Sequence, residues 1–79
     1  MKVTKYSGEL VHYDEQKLIN SLRKSGADQA VAETIVKEIE SEMYEGISSK
    51  KIYKRAYQLL KNISNVHAAR YNLRTALLG

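Results

Sequence analysis

A hairpin needs a tight turn and β-formers; it does not need a lysine on its inner face. Yet KVTKYSGELVHY places Lys5 beside the Ser7-Gly8 turn, and DEQKL places Lys17 one turn into the helix that follows. Helix starts expose unpaired N–H groups and carry partial positive charge, which suits an anion. Lys5, Lys17 and that helix start together have the chemistry to hold a polyphosphate. The same residues also allow an ordinary surface arrangement, with Lys5 paired to Glu9 and Lys17 pointing to water.

Other site chemistries find little support. The chain has no Cys, and its two histidines, His12 and His67, stand far apart without ligand spacing, so neither a disulfide framework nor a zinc site is expected. GISSKK at 46–51 has Gly, Ser and Lys but lacks the second Gly of a phosphate loop and does not follow a strand. No Ser–His–Asp, Cys–His or paired-carboxylate set emerges, because the acids gather on one helix face. The sequence offers no catalyst, and no enzyme is expected.

Lys5 is positioned by its turn. A three-residue turn Tyr6-Ser7-Gly8, with Gly8 in the left-handed position, pairs Lys5 with Glu9 and Val3 with Val11. Val3, Lys5, Val11 and Tyr13 then share one face; a two-residue turn would separate the two valines. Four helices follow the hairpin of residues 2–13, at about 14–25, 28–44, 49–63 and 64–78. Asp14 caps the first, whose stripe is Leu18, Ile19 and Leu22 and whose stop is Gly26. Asp28 caps the second, with Val31, Ala32, Ile35, Val36, Ile39 and Met43 as its stripe and Gly46 as its stop. Ser48 or Ser49 opens the third, carrying Ile52, Ala56, Leu59, Leu60 and Ile63, and Ser64 opens the fourth, with Ala68, Ala69, Leu73, Ala76 and Leu77. The expected fold is α+β, mostly α: one domain over residues 1–79, a small N-terminal β-hairpin capping a four-helix bundle. A lone two-stranded hairpin is unstable in water, so it must pack across the bundle, and a cleft is expected at that junction.

The net charge of +4 is unevenly spread. Residues 28–45 hold six of the nine acids and one base, Lys37, leaving 12 bases and three acids elsewhere. Such asymmetry suits an anionic partner, and equally two solvated faces of opposite sign. No apolar run approaches the roughly 20 residues that span a membrane, and the first residues lack a signal-peptide pattern. A cytoplasmic protein without a membrane partner is expected. EGISSKKIYKRAYQLLK also resembles a helix-turn-helix recognition helix, with Lys50, Lys51, Lys54, Arg55 and Lys61 as phosphate contacts. That face carries few side chains able to read base edges.

Four blocks, V-T-K-Y-S-G, V-H-Y-D-E-Q-K-L, Y-E-G-I-S-S-K-K-I-Y and A-A-R-Y-N-L, in this order and across essentially the whole chain, resemble an ATP-cone domain. Each block is weak alone; together they are specific. The resemblance implies a non-catalytic regulatory module that binds an adenine nucleotide, ATP or dATP, with Mg2+ able to accompany it. Such modules occur at the N-terminus of ribonucleotide reductase large subunits, in the repressor of reductase genes and fused to other enzymes. It implies control of an attached or separate effector domain, homo-oligomerisation among the outputs, and a place as the N-terminal module of a larger protein. By position, Val3 and Lys5 match the V-x-K that lines the nucleotide, with Tyr6 and Gly8 in the same turn. Tyr13 matches the residue that closes the cap, Lys17 the phosphate-contacting helix lysine, and Ser49 a small hydroxyl residue of the later block, with Tyr53 one turn on.

The chain departs from the family's V-x-K-R-D-G, having Tyr6 and Ser7 where Arg and Asp are common, and Val11 and His12 where Glu or Pro often precedes the aromatic. Losing the Arg removes a bidentate phosphate donor, an interaction of about 1.5–3 kcal/mol, or about tenfold or more in affinity. Tyr6 could instead stack on a ring. Two alternatives stand beside nucleotide binding: a DNA-binding module using Lys50, Lys51, Lys54 and Arg55, and a structural or oligomerisation module without ligand.

Overall fold

The computed structural model describes residues 1–78, with side chains through Leu73. Ala76 and Leu77 of the expected fourth stripe, and Gly79, lie outside the described side chains. Strands β1 (Lys2–Thr4) and β2 (Leu10–His12) pair antiparallel with Val3 opposite Val11. The Lys5 N–H donates to the Glu9 carbonyl at 2.8 Å, and the Gly8 N–H returns to the Lys5 carbonyl at 2.8 Å. Gly8 has φ +91°, the conformation that the three-residue turn demands of it.

Four helices complete the α+β fold: α1 (Glu15–Lys24), α2 (Gln29–Glu42), α3 (Ser49–Lys61) and α4 (Asn65–Leu78). Each begins on a side-chain cap that satisfies an otherwise orphan donor. Asp14 accepts from the Lys17 N–H at 3.2 Å, Asp28 from Val31 at 2.9 Å, Ser48 from Lys51 at 3.2 Å and Ser64 from His67 at 3.2 Å. Ser48 is therefore the α3 cap, which leaves the Ser49 hydroxyl for other use. After α1, the Ala27 N–H reaches the Leu22 carbonyl and the Gly26 N–H the Arg23 carbonyl, a Schellman closure around Gly26 at φ +118°.

The hairpin is not left as two strands. The segment after α2 runs along the free edge of β1: the Thr4 N–H donates to the Ile47 carbonyl at 2.9 Å and the Gly46 N–H to the Lys2 carbonyl at 2.9 Å. The Thr4 hydroxyl adds a bond to the Gly46 carbonyl at 2.8 Å. This corrects the expectation that Gly46 stops the second helix. That helix closes at Glu42 and Met43 is already extended, because the backbone of residues 44–48 is committed to the sheet edge instead of to a helix.

The core joins Leu18, Ile19 and Leu22 of α1 to Ala32, Ile35, Val36 and Ile39 of α2 and Ile52, Ala56 and Leu60 of α3, with Val3 beneath the hairpin. Burying each large aliphatic side chain contributes about 1.5–3 kcal/mol. The fourth helix buries only part of the stripe expected of it among the described side chains, Ala68 but not Ala69 or Leu73. Ala68 and Tyr71 are buried, whereas Ala69 and Leu73 are exposed, as is Ile63 before it. Ser64, Ala68 and Tyr71 fall on one side of α4, and the Tyr71 side chain is fully buried. Among the described residues, no helix is long and apolar enough to cross a membrane.

Candidate functional site

Between the hairpin and the bundle lies a cleft of about 920 Å3, within the roughly 300–1,000 Å3 range of small-molecule sites. Seven of the eight residues singled out from sequence line it: Val3, Lys5, Tyr6, Tyr13, Lys17, Ser49 and Tyr53. Gly8 does not; it shapes the turn from the hairpin tip. The hairpin forms the roof, the start of α1 one wall and the first two turns of α3 the other. Val3 and Val11 of the hairpin, with Leu18 and Ile52 of the helices, supply its apolar lining, and the rings of Tyr13, Tyr53 and Tyr57 border it.

The charge of the lining is one-sided. Among the described residues that line it, Lys5, Lys17, Lys50 and Lys54 stand against a single carboxylate, Asp14, whose Oδ1 already accepts the Lys17 N–H. Lys5 Nζ lies 3.8 Å from Glu9 Oε1, with both side chains more than half exposed. The ordinary surface pairing thus coexists with a place in the cleft, and such an exposed pair contributes at most about 1 kcal/mol. Tyr6 at the hairpin tip is 80% exposed and meets the cleft at its mouth.

Tyr13 is fixed at both ends. Its N–H donates to the Met1 carbonyl at 3.0 Å, and its hydroxyl to Glu40 Oε2 on α2 at 2.8 Å. Burial, then this bond to an acceptor carboxylate, pushes the phenol well above its usual range. Glu15 stands in the same acidic group, and its carboxyl is raised chiefly by its hydrogen-bonded neighbour Glu40. Among the described residues, no group of three or more His, Cys, Asp or Glu could hold a metal ion.

The cations of α3 divide between two sides. Arg55 forks onto Glu42 at 2.9 and 3.0 Å and approaches Glu38 at 4.0 Å; the Glu42 hydrogen bonds raise its already high pKa further. Lys51 Nζ donates to the Tyr44 hydroxyl at 3.2 Å and sits 5.9 Å from that ring's centre. Both line a smaller groove of about 290 Å3 toward α2, and Lys54 borders that groove as well as the cleft. The basic face considered for duplex DNA is therefore partly neutralised by α2 and partly turned into the cleft. Sequence reasoning missed that Lys50, Lys54 and Tyr57 line the cleft, although their spacing with Tyr53 already placed all four on one side of a helix.

A family model described as ATP cone domain matches residues 1–75, nearly the whole chain. No curated protein matches.

Proposed function

Because the chain belongs to the ATP-cone family of nucleotide-binding regulatory domains, we propose that its cleft takes ATP or dATP as an allosteric effector and does not turn it over. The observation that carries this reading is the pairing of four lysines with four tyrosines around one cleft with an apolar lining. The rings and the apolar side chains of Val3 and Val11 suit a base and sugar; the ammonium groups of Lys5 and Lys17 suit the phosphates. A lone Asp14, engaged as a helix cap, suits Mg2+ carried on the triphosphate better than Mg2+ held by the protein.

Regulation follows from what such a ligand would touch. It contacts the hairpin through Lys5, α1 through Lys17 and α3 through Ser49 and Tyr53, so it favours whichever arrangement brings these three together. A ligand shifts an equilibrium only by its differential affinity for the two states. The output is an attached or separate effector domain, or self-association, in the cytoplasm.

Isothermal titration with ATP and dATP in Mg2+, with GTP as control, tests the reading. Micromolar, adenine-selective binding is the expected result. No heat with any nucleotide, together with an unchanged melting temperature, would sink it and leave a structural or assembly role.

A further inference from the structure

Lys50 and Lys54 lie one turn apart on α3, on the same side as Tyr53, and both line the cleft. Among the described residues, neither ammonium has a carboxylate within 4.0 Å, whereas Lys5 has one and Arg55 two. Lys51, one residue on, turns away to Tyr44. On the α2 side Arg55 and Lys51 are engaged by Glu42, Glu38 and Tyr44; Lys50 lines the cleft, and Lys54 borders both the cleft and the groove toward α2. Across the cleft stand Lys5 and Lys17, and the hairpin tip adds no cation beyond Lys5.

We infer that Lys50 and Lys54 form a second cationic wall that makes the cleft selective for phosphate number, favouring nucleoside triphosphates over monophosphates. This rests on the nucleotide reading above. The physical reason is that attraction scales with ligand charge: a triphosphate presents roughly twice the negative charge of a monophosphate, spread along a chain long enough to meet both walls. A monophosphate placed against Lys5 and Lys17 leaves the α3 wall without a partner. Lysine acts here as a point charge and needs no fixed fork geometry, which suits two exposed, flexible side chains.

The test is titration of ATP, ADP and AMP into the wild-type chain, Lys50→Ala/Lys54→Ala, and a control, Lys24→Ala/Lys51→Ala, that removes equal charge away from the cleft. The cleft pair is expected to weaken ATP by about tenfold or more, ADP by less, and AMP by no more than about twofold. The control leaves the order and spacing of the three affinities as in the wild type. Equal losses for ATP and AMP, no loss, or the same loss in the control would overturn the α3 wall while leaving nucleotide binding standing. Absence of ATP binding to the wild-type chain would instead remove the reading beneath it. All four side chains are exposed, so circular dichroism and melting temperature should match the wild type.

Discussion

The Tyr13 hydroxyl on the hairpin's exit donates to Glu40 Oε2 on α2 at 2.8 Å, and the two residues are 27 positions apart in the chain. Tyr13 also lines the cleft, so one side chain touches the site, the end of β2 and the acidic helix together. An aliphatic residue or Phe at this position would close the cap equally well by packing. The hydroxyl is what links the cap to α2.

Tyr13→Phe keeps the ring and removes that link. Loss of a half-exposed bond to a carboxylate should destabilise the domain by about 1 kcal/mol, lowering Tm by about 4–8 °C. A second signature lies in alkali. Tyr13 and Tyr71 both hold their protons more tightly in the fold, Tyr71 mainly through burial. A raised folded pKa contributes stability that is complete below the unfolded value, about 10, and is lost as pH rises above it. Each such tyrosine steepens the decline by up to about 1.4 kcal/mol per pH unit. Thermal melts from pH 8 to 11 should therefore show a shallower alkaline fall for Tyr13→Phe. Curves that stay parallel would refute the assignment.

Thr4 joins the hairpin to the α2–α3 connection through its hydroxyl and its N–H, on Gly46 and Ile47. Thr4→Val preserves shape and removes only the hydroxyl bond, for about 1 kcal/mol. The effect should be local. Hydrogen exchange at the Gly46 amide, which donates to Lys2, should accelerate while amides in the α2–α3 core keep their rates. Uniform acceleration across the domain would mean that the hairpin does not open separately from the bundle.

Gly26 closes α1 against the side of His67. A Cβ added there would overlap the His67 ring, and φ +118° disfavours any side chain. Gly26→Ala should cost about 2–4 kcal/mol from backbone strain and overpacking combined. Adding His67→Ala should recover the steric part and leave the backbone part. A double variant no more stable than Gly26→Ala would assign the whole penalty to the backbone.

Features fixed by a few neighbouring residues were legible in the sequence. The Tyr6-Ser7-Gly8 turn, the Val3–Val11 register and the Asp14 and Asp28 caps each follow from local geometry, and each is present. Features set by a distant neighbour were not. Ala68 is buried as expected, but whether Ala69 and Leu73 or Tyr71 joins it inside depends on what α1 and α3 leave open, and small residues on both sides of α4 do not decide it. Lys50, Lys51, Lys54 and Arg55 read alike in sequence as one basic face. Only the positions of Glu38, Glu42 and Tyr44 on the far side separate Arg55 and Lys51 from the two lysines in the cleft. The cleft itself depends on residues 44–48 running along the edge of β1 to carry the hairpin.

Lys5 and Lys17 allow binding to be separated from folding. Lys17 sits in the first turn of α1, where a cation is mildly unfavourable to the helix dipole, so Lys17→Ala should leave Tm unchanged or slightly raised. Lys5 has only its exposed pair with Glu9 to lose, worth at most about 1 kcal/mol. Each alanine variant should nevertheless weaken ATP by about tenfold or more, the magnitude of one charge-assisted contact. Glu9→Gln runs the other way: it releases Lys5 and removes a negative charge near the phosphates, so affinity should rise by a few-fold, most clearly at low salt. Titration calorimetry beside thermal melts reads both quantities. Unchanged affinity in Lys5→Ala and Lys17→Ala would remove these two residues from the phosphate site; affinity that falls only in step with Tm would make their role structural.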